Sequence, residues 1–198
     1  MKSPAFRFVL SIGATAILVF LAPHLDRLWS VEAQSSTKPT PKDNEELTRL
    51  YQEDQADRTP RTAIDWKVVG PRDQARLKRV KELYTQGRMQ TGGDYYNAAM
   101  VLQHGSSPED FLLAHEFCIV AISKGEVRAK WLAAASEDRF LMNIGRPQRF
   151  GTQYRSDGQG PIRLYEVGPS VTDGLRRALD VPSLAEAKAR EAEFHKKE

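Results

Sequence analysis

Between residues 44 and 144 apolar side chains recur at three- and four-residue spacing, the period of helices that bury one face. Leu47, Leu50 and Tyr51 share a face of a first helix over 44–58, and Thr59-Pro60 ends it, because the residue before proline avoids the helical region. Ile64, Trp66, Val68 and Val69 read as a short extended connector, with Pro71 in the first turn of a second helix. There Leu77, Val80, Leu83 and Tyr84 form the apolar stripe, Arg76, Lys78, Arg79 and Lys81 mostly point away, and Gly87 supplies the stop.

Three further helices carry clear punctuation. Asp94 caps one that runs to His104 and stops at Gly105. Ser107 caps the next, with Pro108 at its first position, Glu109 and Asp110 in its first turn, and Gly125 at its close. The third spans about 126–144 and is closed by Gly145 and Pro147. The middle helix is apolar nearly all round from Phe111 to Val120, with Glu116 as the main charged interruption, which predicts the buried centre of the domain. After Gly145 the pattern changes to short β-prone pieces at 150–154 and 162–167 around a Ser156-Asp157-Gly158 turn, a small hairpin. Ser183-x-x-Glu186 then forms a capping box for a weakly packed final helix to about His195. The expected fold is mainly α: a compact bundle of repeat-like antiparallel helix pairs, with a small hairpin or irregular loop after the fifth helix.

The N-terminus is of another kind. Lys2 and Arg7 precede an uncharged, mainly apolar run over 8–22, FVLSIGATAILVFLA. A basic flank before such a run is the pattern of a secretory signal, which delivers the downstream chain outward. The run is shorter than the roughly 20 residues that span a bilayer, so a cleaved signal over 1–33 is favoured, with cleavage after Val31-Glu32-Ala33. The alternative is a membrane tether through residues 8–22, extended by 21–29. Residues 34–43, rich in Ser, Thr, Pro and Lys, read as a flexible linker, and the domain as 44–198. Localisation is thus periplasmic or extracellular, or membrane-anchored facing outward.

Composition narrows the function without naming it. Of the 198 residues 40% are hydrophobic and 28% charged, ordinary for a globular chain. The net charge of +3 is small and both signs are interleaved, so no basic face points to nucleic acid. Cys118 is the single cysteine, which excludes an intrachain disulfide framework. No H-E-x-x-H, G-x-S-x-G, P-loop or dinucleotide fingerprint occurs, so neither metal nor cofactor is expected.

The chemistry-bearing candidates are few. Asp138 falls on the buried face of its helix with Trp131, Ala134, Ala135, Leu141 and Met142, and a buried carboxylate needs a cation or hydrogen-bond donors. A structural pair with Arg58 or Arg146 is the favoured expectation, a catalytic acid or base the alternative. His104, at the end of its helix beside Gln103, suits the free carbonyls there. His115 reads as a satisfied core histidine, and the nearby Cys118 thiol as buried and unreactive. Arg146, Gln148, Thr152 and Gln153, in a loop with Gly151, are the expected ligand contacts, suited to a peptide, sugar or carboxylate; Arg139 joins them. The same side chains are equally suited to bonding backbone and fixing an irregular crossing. Asp54, Gln55 and Arg58 share one face of the first helix and are placed against this loop.

The segments DYYNAAMVLQHG (94–105) and GRPQRFGTQY (145–154), with DQADR (54–58), LAHE (113–116) and AKWLAAASEDRFLMNIG (129–145), resemble an uncharacterised bacterial domain-of-unknown-function family. Ala114, Ala121, Gly125 and Ala129 are spaced as in close helix pairs, and the stretch is similar to a degenerate Sel1-like or tetratricopeptide-like unit. These resemblances imply a helical fold and no mechanism. The expected function is a non-catalytic binding domain of the cell envelope, for a protein, peptide or small polar ligand. The alternative is a hydrolase-like enzyme using Asp138 and His104 near the Gln148–Gln153 loop.

Overall fold

The computed structural model describes residues 41–59, 64–156 and 160–194. The leader, most of the linker, Pro60, His195 and the centre of the hairpin turn lie outside them. Among the described residues, seven helices and two short strands run in order: α1 (Glu45–Ala56), α2 (Trp66–Thr85), α3 (Gly92–Leu102), α4 (Pro108–Ser123), α5 (Ala129–Asn143), β1 (Tyr154–Arg155), β2 (Arg163–Leu164), α6 (Asp173–Ala178) and α7 (Leu184–Phe194). The expected mainly helical architecture with a small hairpin after the fifth helix is what forms.

Local chemistry sets most boundaries. The Asn44 side chain accepts from the amides of Glu46 and Leu47 and starts α1 where the domain was expected to begin. Ser107 caps α4 in a reciprocal box with Asp110, and Pro108 stands at the first position, where its missing N–H costs nothing. Gly125 and Gly145 close α4 and α5 with φ of +90° and +72°, a left-handed turn that a side chain with a Cβ resists. After Gly145, the Arg146 amide donates back to the Leu141 carbonyl at 2.8 Å and completes the helix stop.

Three boundaries differ from expectation. The extended connector at 64–69 is instead the start of α2: Asp65 caps it by accepting from the Lys67 amide, and Pro71 lies inside the helix rather than in its first turn. Gly70 precedes that proline, and lacking a Cβ it avoids the clash with the ring that pushes other residues out of helix. Asp94 is not the cap of α3. Thr91 is, and Asp94 is its capping-box partner, accepting from the amides of Thr91 and Gln90 and from that of Asn44 at 2.6 Å. The short helix α6, capped by Thr172, has no counterpart in the expected elements.

The main core joins α1 to α5 through Leu47, Leu50, Leu77, Val80, Leu83, Leu102, Phe117 and Leu132, with alanines where helices approach closely. Ala114, Ala121 and Ala129 are fully buried, as their spacing suggested. The middle helix α4 packs between α3 and α5 but is not buried all round: Leu112 and Ile119 are exposed. A second, smaller cluster gathers Ala134, Phe150, Val171 and Val181. Since Leu132 and Ala133 face the first cluster and Ala134 the second, α5 is buried on two sides, and its alanine run is what lets both sides close on it. Among the described residues no helix is long and apolar enough to cross a membrane.

Candidate functional site

Consecutive helical residues point about 100° apart, and at the C-terminal half of α5 this splits two neighbours between two polar networks. Asp138 belongs to the loop network and Arg139 to a network with α1 to α3.

Asp138 is fully buried. One carboxylate oxygen accepts from the amides of Arg149 and Phe150 at 2.7 and 2.9 Å, and the other from the amide and hydroxyl of Thr152 at 3.0 and 2.7 Å. The expected arginine partner, Arg58 or Arg146, is replaced by these four donors. An irregular loop carries unpaired N–H groups that a buried carboxylate satisfies at once, and these bonds stand where a cation was expected. Gly151 takes φ of +82° and lets the loop fold back over the carboxylate.

Gln148 is also fully buried and is used up in the same crossing. Its amide donates to the carbonyls of Gln153 and Tyr165, and its oxygen accepts from the Gln153 amide. The Gln153 side-chain amide donates to the Thr152 hydroxyl. On the opposite side Arg176, 2% exposed, donates to the carbonyls of Phe150, Arg149 and Val171. The loop is thus clamped twice, through its N–H groups by Asp138 and through its carbonyls by Arg176. No pattern in the sequence distinguishes Arg176 from the surface Arg177 beside it. Of the loop residues expected to meet a ligand, Gln148 and Gln153 spend side-chain polar groups on the crossing itself, Thr152 gives its hydroxyl to Asp138, and Arg146 is exposed apart from both networks.

The second network is an alternating chain of charges. Arg72 donates to Asp57, Asp57 accepts from Arg76, Arg76 donates to Asp73, Asp73 accepts from Arg58, and Arg58 donates to Asp54, each at 2.6–2.9 Å. It begins at an exposed guanidinium and ends at a carboxylate with no exposure. Arg76 was expected to face solvent, yet it is 5% exposed: Asp57 and Asp73 take its two terminal nitrogens, while its Nε finds no partner among the described residues. At the outer end a cleft of about 490 Å³ between α1 and α2 is lined by Arg49, Leu50, Glu53, Asp57, Arg72 and Arg76.

At the inner end, His104 Nε2 stands 3.6 Å from Asp54 Oδ2, in the turn after α3. Gln55 donates to the same Asp54 oxygen at 2.8 Å. Asp54, Gln55 and Arg58 therefore meet α2 and His104 rather than the Gln148–Gln153 loop. Beyond His104, Arg139 donates to Gln103 Oε1 at 2.9 Å. That is its single side-chain hydrogen bond among the described residues, and no carboxylate there lies within ion-pair distance of it. Asp138, next in sequence, has its oxygens turned to the loop.

Burial perturbs three groups at the inner end. It pushes the Asp54 carboxyl up to about 6, partly countered by Arg58 and the Gln55 hydrogen bond. It pushes His104 down to about 3, helped by the positive charge of Arg58 and Arg139. It lowers the Arg139 guanidinium to about 10, partly offset by Asp138. Such a concentration of shifted groups is what sites for binding or chemistry share. The remaining candidates are quiet: His115 Nδ1 bonds the Ala133 carbonyl at 2.9 Å, and burial pushes the Cys118 thiol up to about 12. Among the described residues no three His, Cys, Asp or Glu converge on a metal position.

The shifts predict a pH dependence. The unfolded chain protonates His104 near pH 6.5 and the folded chain only near 3, so acidification across that window favours unfolding. Asp54 opposes this: its folded carboxyl keeps a proton between about 6 and 3.8 that the unfolded chain has lost. The charged groups facing His104 are Arg58, Asp54, Asp73, Arg76 and Arg139, and its larger shift wins. Urea unfolding monitored from pH 7 to 4 is expected to show falling stability in the wild type. In His104→Gln the Asp54 effect no longer has His104 against it, and the loss of stability between pH 6 and 5 is expected to flatten or reverse.

No protein-family model, curated protein or solved structure matches this chain.

Proposed function

We propose that this chain is an exported, non-catalytic binding domain of the cell envelope, and that its ligand docks where His104, Gln103 and Arg139 meet the end of the α1–α2 charge chain. The observation that carries this reading is Arg139, a half-buried cation whose one side-chain hydrogen bond among the described residues goes to a neutral amide. A half-buried guanidinium with no carboxylate partner among the described residues keeps free donors in a fixed fork, and a ligand that completes it accounts for them best. Export rests on the basic flank and apolar run of the first 22 residues.

Two measurements test the reading. Mass spectrometry of the protein recovered from the cell envelope is expected to show an N-terminus near Gln34; recovery of the product from the cytosol overturns export. Thermal-shift screening against envelope metabolites and peptides is expected to return a ligand whose effect is lost in Arg139→Gln but kept in Arg146→Gln. A second reading, a hydrolase-like enzyme, is favoured by the 3.6 Å approach of His104 to Asp54. It employs Asp54 where Asp138 was expected, since Asp138 has both oxygens filled, and turnover of a screened compound that His104→Gln abolishes would establish it.

A further inference from the structure

A guanidinium is a planar fork of five N–H donors matched to the paired oxygens of a carboxylate or phosphoryl group. In this protein the arginines of the α1–α2 chain are all matched: Arg72, Arg76 and Arg58 alternate with Asp57, Asp73 and Asp54, three charges of each sign. Arg139 lies outside that balance. Asp138 favours its charge from a side chain turned to the loop, and four of the five guanidinium N–H groups are unused among the described residues. His104 beside it is uncharged at neutral pH and still 22% exposed, so the place is open to solvent. Its oxyanion partner is absent from the chain's own described carboxylates: Asp138 is committed to the loop and Asp54 to Arg58 and Gln55.

We propose that Arg139, flanked by Gln103 and His104, is the docking point for an oxyanion of the ligand, a carboxylate or a phosphoryl group. This rests on the binding reading above and gives its ligand a chemical class. Arg139 supplies the charge and the paired donors, and Gln103 Oε1 fixes the orientation of the fork. Desolvation strengthens the contact relative to one on open surface, since charge-assisted bonds gain as water is excluded.

The full chain titrated with inorganic phosphate and with acetate, at constant ionic strength balanced by chloride, is expected to show saturable binding by calorimetry and a rising Tm. The discriminating variant is Gln103→Glu, which sets a carboxylate against the guanidinium in place of the amide. It is expected to fold with Tm unchanged or raised, and to bind either anion at least about tenfold more weakly, because the built-in carboxylate competes for the same fork. A phosphate response alone would mark a phosphoryl ligand, and an acetate response alone a carboxylate. Equal anion binding by Gln103→Glu and wild type would overturn the proposal, as would no saturable effect of either anion. If a neutral compound from the envelope panel then bound in an Arg139-dependent way, the binding reading would survive and only its oxyanion would fall. If nothing bound, both would.

Discussion

Replacing Asp138 with Asn is expected to lower Tm by about 10 °C while leaving the helical signal of the bundle intact. The isosteric amide keeps one acceptor oxygen and turns a donor toward amides or a hydroxyl that also donate. Of the four bonds from Arg149, Phe150 and Thr152, about half are lost. Stranding buried donors costs about 1–3 kcal/mol each, so roughly 3–4 kcal/mol is at stake. For a domain of this size, Tm falls by about 2–4 °C per kcal/mol. The damage is local, because the loop packs on the small cluster of Ala134, Phe150, Val171 and Val181, while the main core of α1 to α5 does not include it. Calorimetry gives the Tm, and amide exchange is expected to show protection lost at 149–153 first. An unchanged Tm with loss of ligand binding would make Asp138 a ligand contact and not a clamp.

Arg176→Met is expected to be nearly as damaging, at roughly 3 kcal/mol, because it leaves the carbonyls of Arg149, Phe150 and Val171 without their buried donor. Methionine keeps much of the apolar stem, so the loss reports the hydrogen bonds rather than packing. The informative measurement is the double variant with Asp138→Asn. Both clamps act on Arg149 and Phe150, one from each side of the same peptide units, so the second substitution strikes a loop already released. The combined loss in urea unfolding is expected to fall short of the sum of the two by about 1 kcal/mol or more. Full additivity would show that the two clamps are independent and the loop is held elsewhere.

The candidate site was half legible. Asp54, Arg58, Gln103, His104, Asp138, Arg139, Gln148, Thr152 and Gln153 were singled out as candidate ligand contacts and are all drawn into one of the two networks, whereas Arg146, singled out with them, is not. Which of them meet was not legible. Asp54 and Arg58 were set against the Gln148–Gln153 loop and pair instead with α2 and His104, because the partner of a helix face depends on how that helix crosses its neighbours. Arg76 was read as a solvent-facing residue of a basic helix. The i,i+3 pair with Asp73 was a signal for it, but its burial depends equally on Asp57, nineteen residues away.

The sequence by itself determined what short-range physics controls. A cap needs its acceptor within three residues, a left-handed stop needs glycine at one position, and an apolar stripe needs only its own period. Ser107, Gly125, Gly145 and the Ser183–Glu186 box were therefore readable from neighbours alone. Tertiary structure decided where polar groups find partners. The loop amides that replace an arginine at Asp138, the unforeseen hold of Arg176 on the loop carbonyls, and the neutral amide partner of Arg139 all arise from groups brought together across long stretches of chain. Such pairings depend on the packed crossing of elements, and no local spacing encodes them.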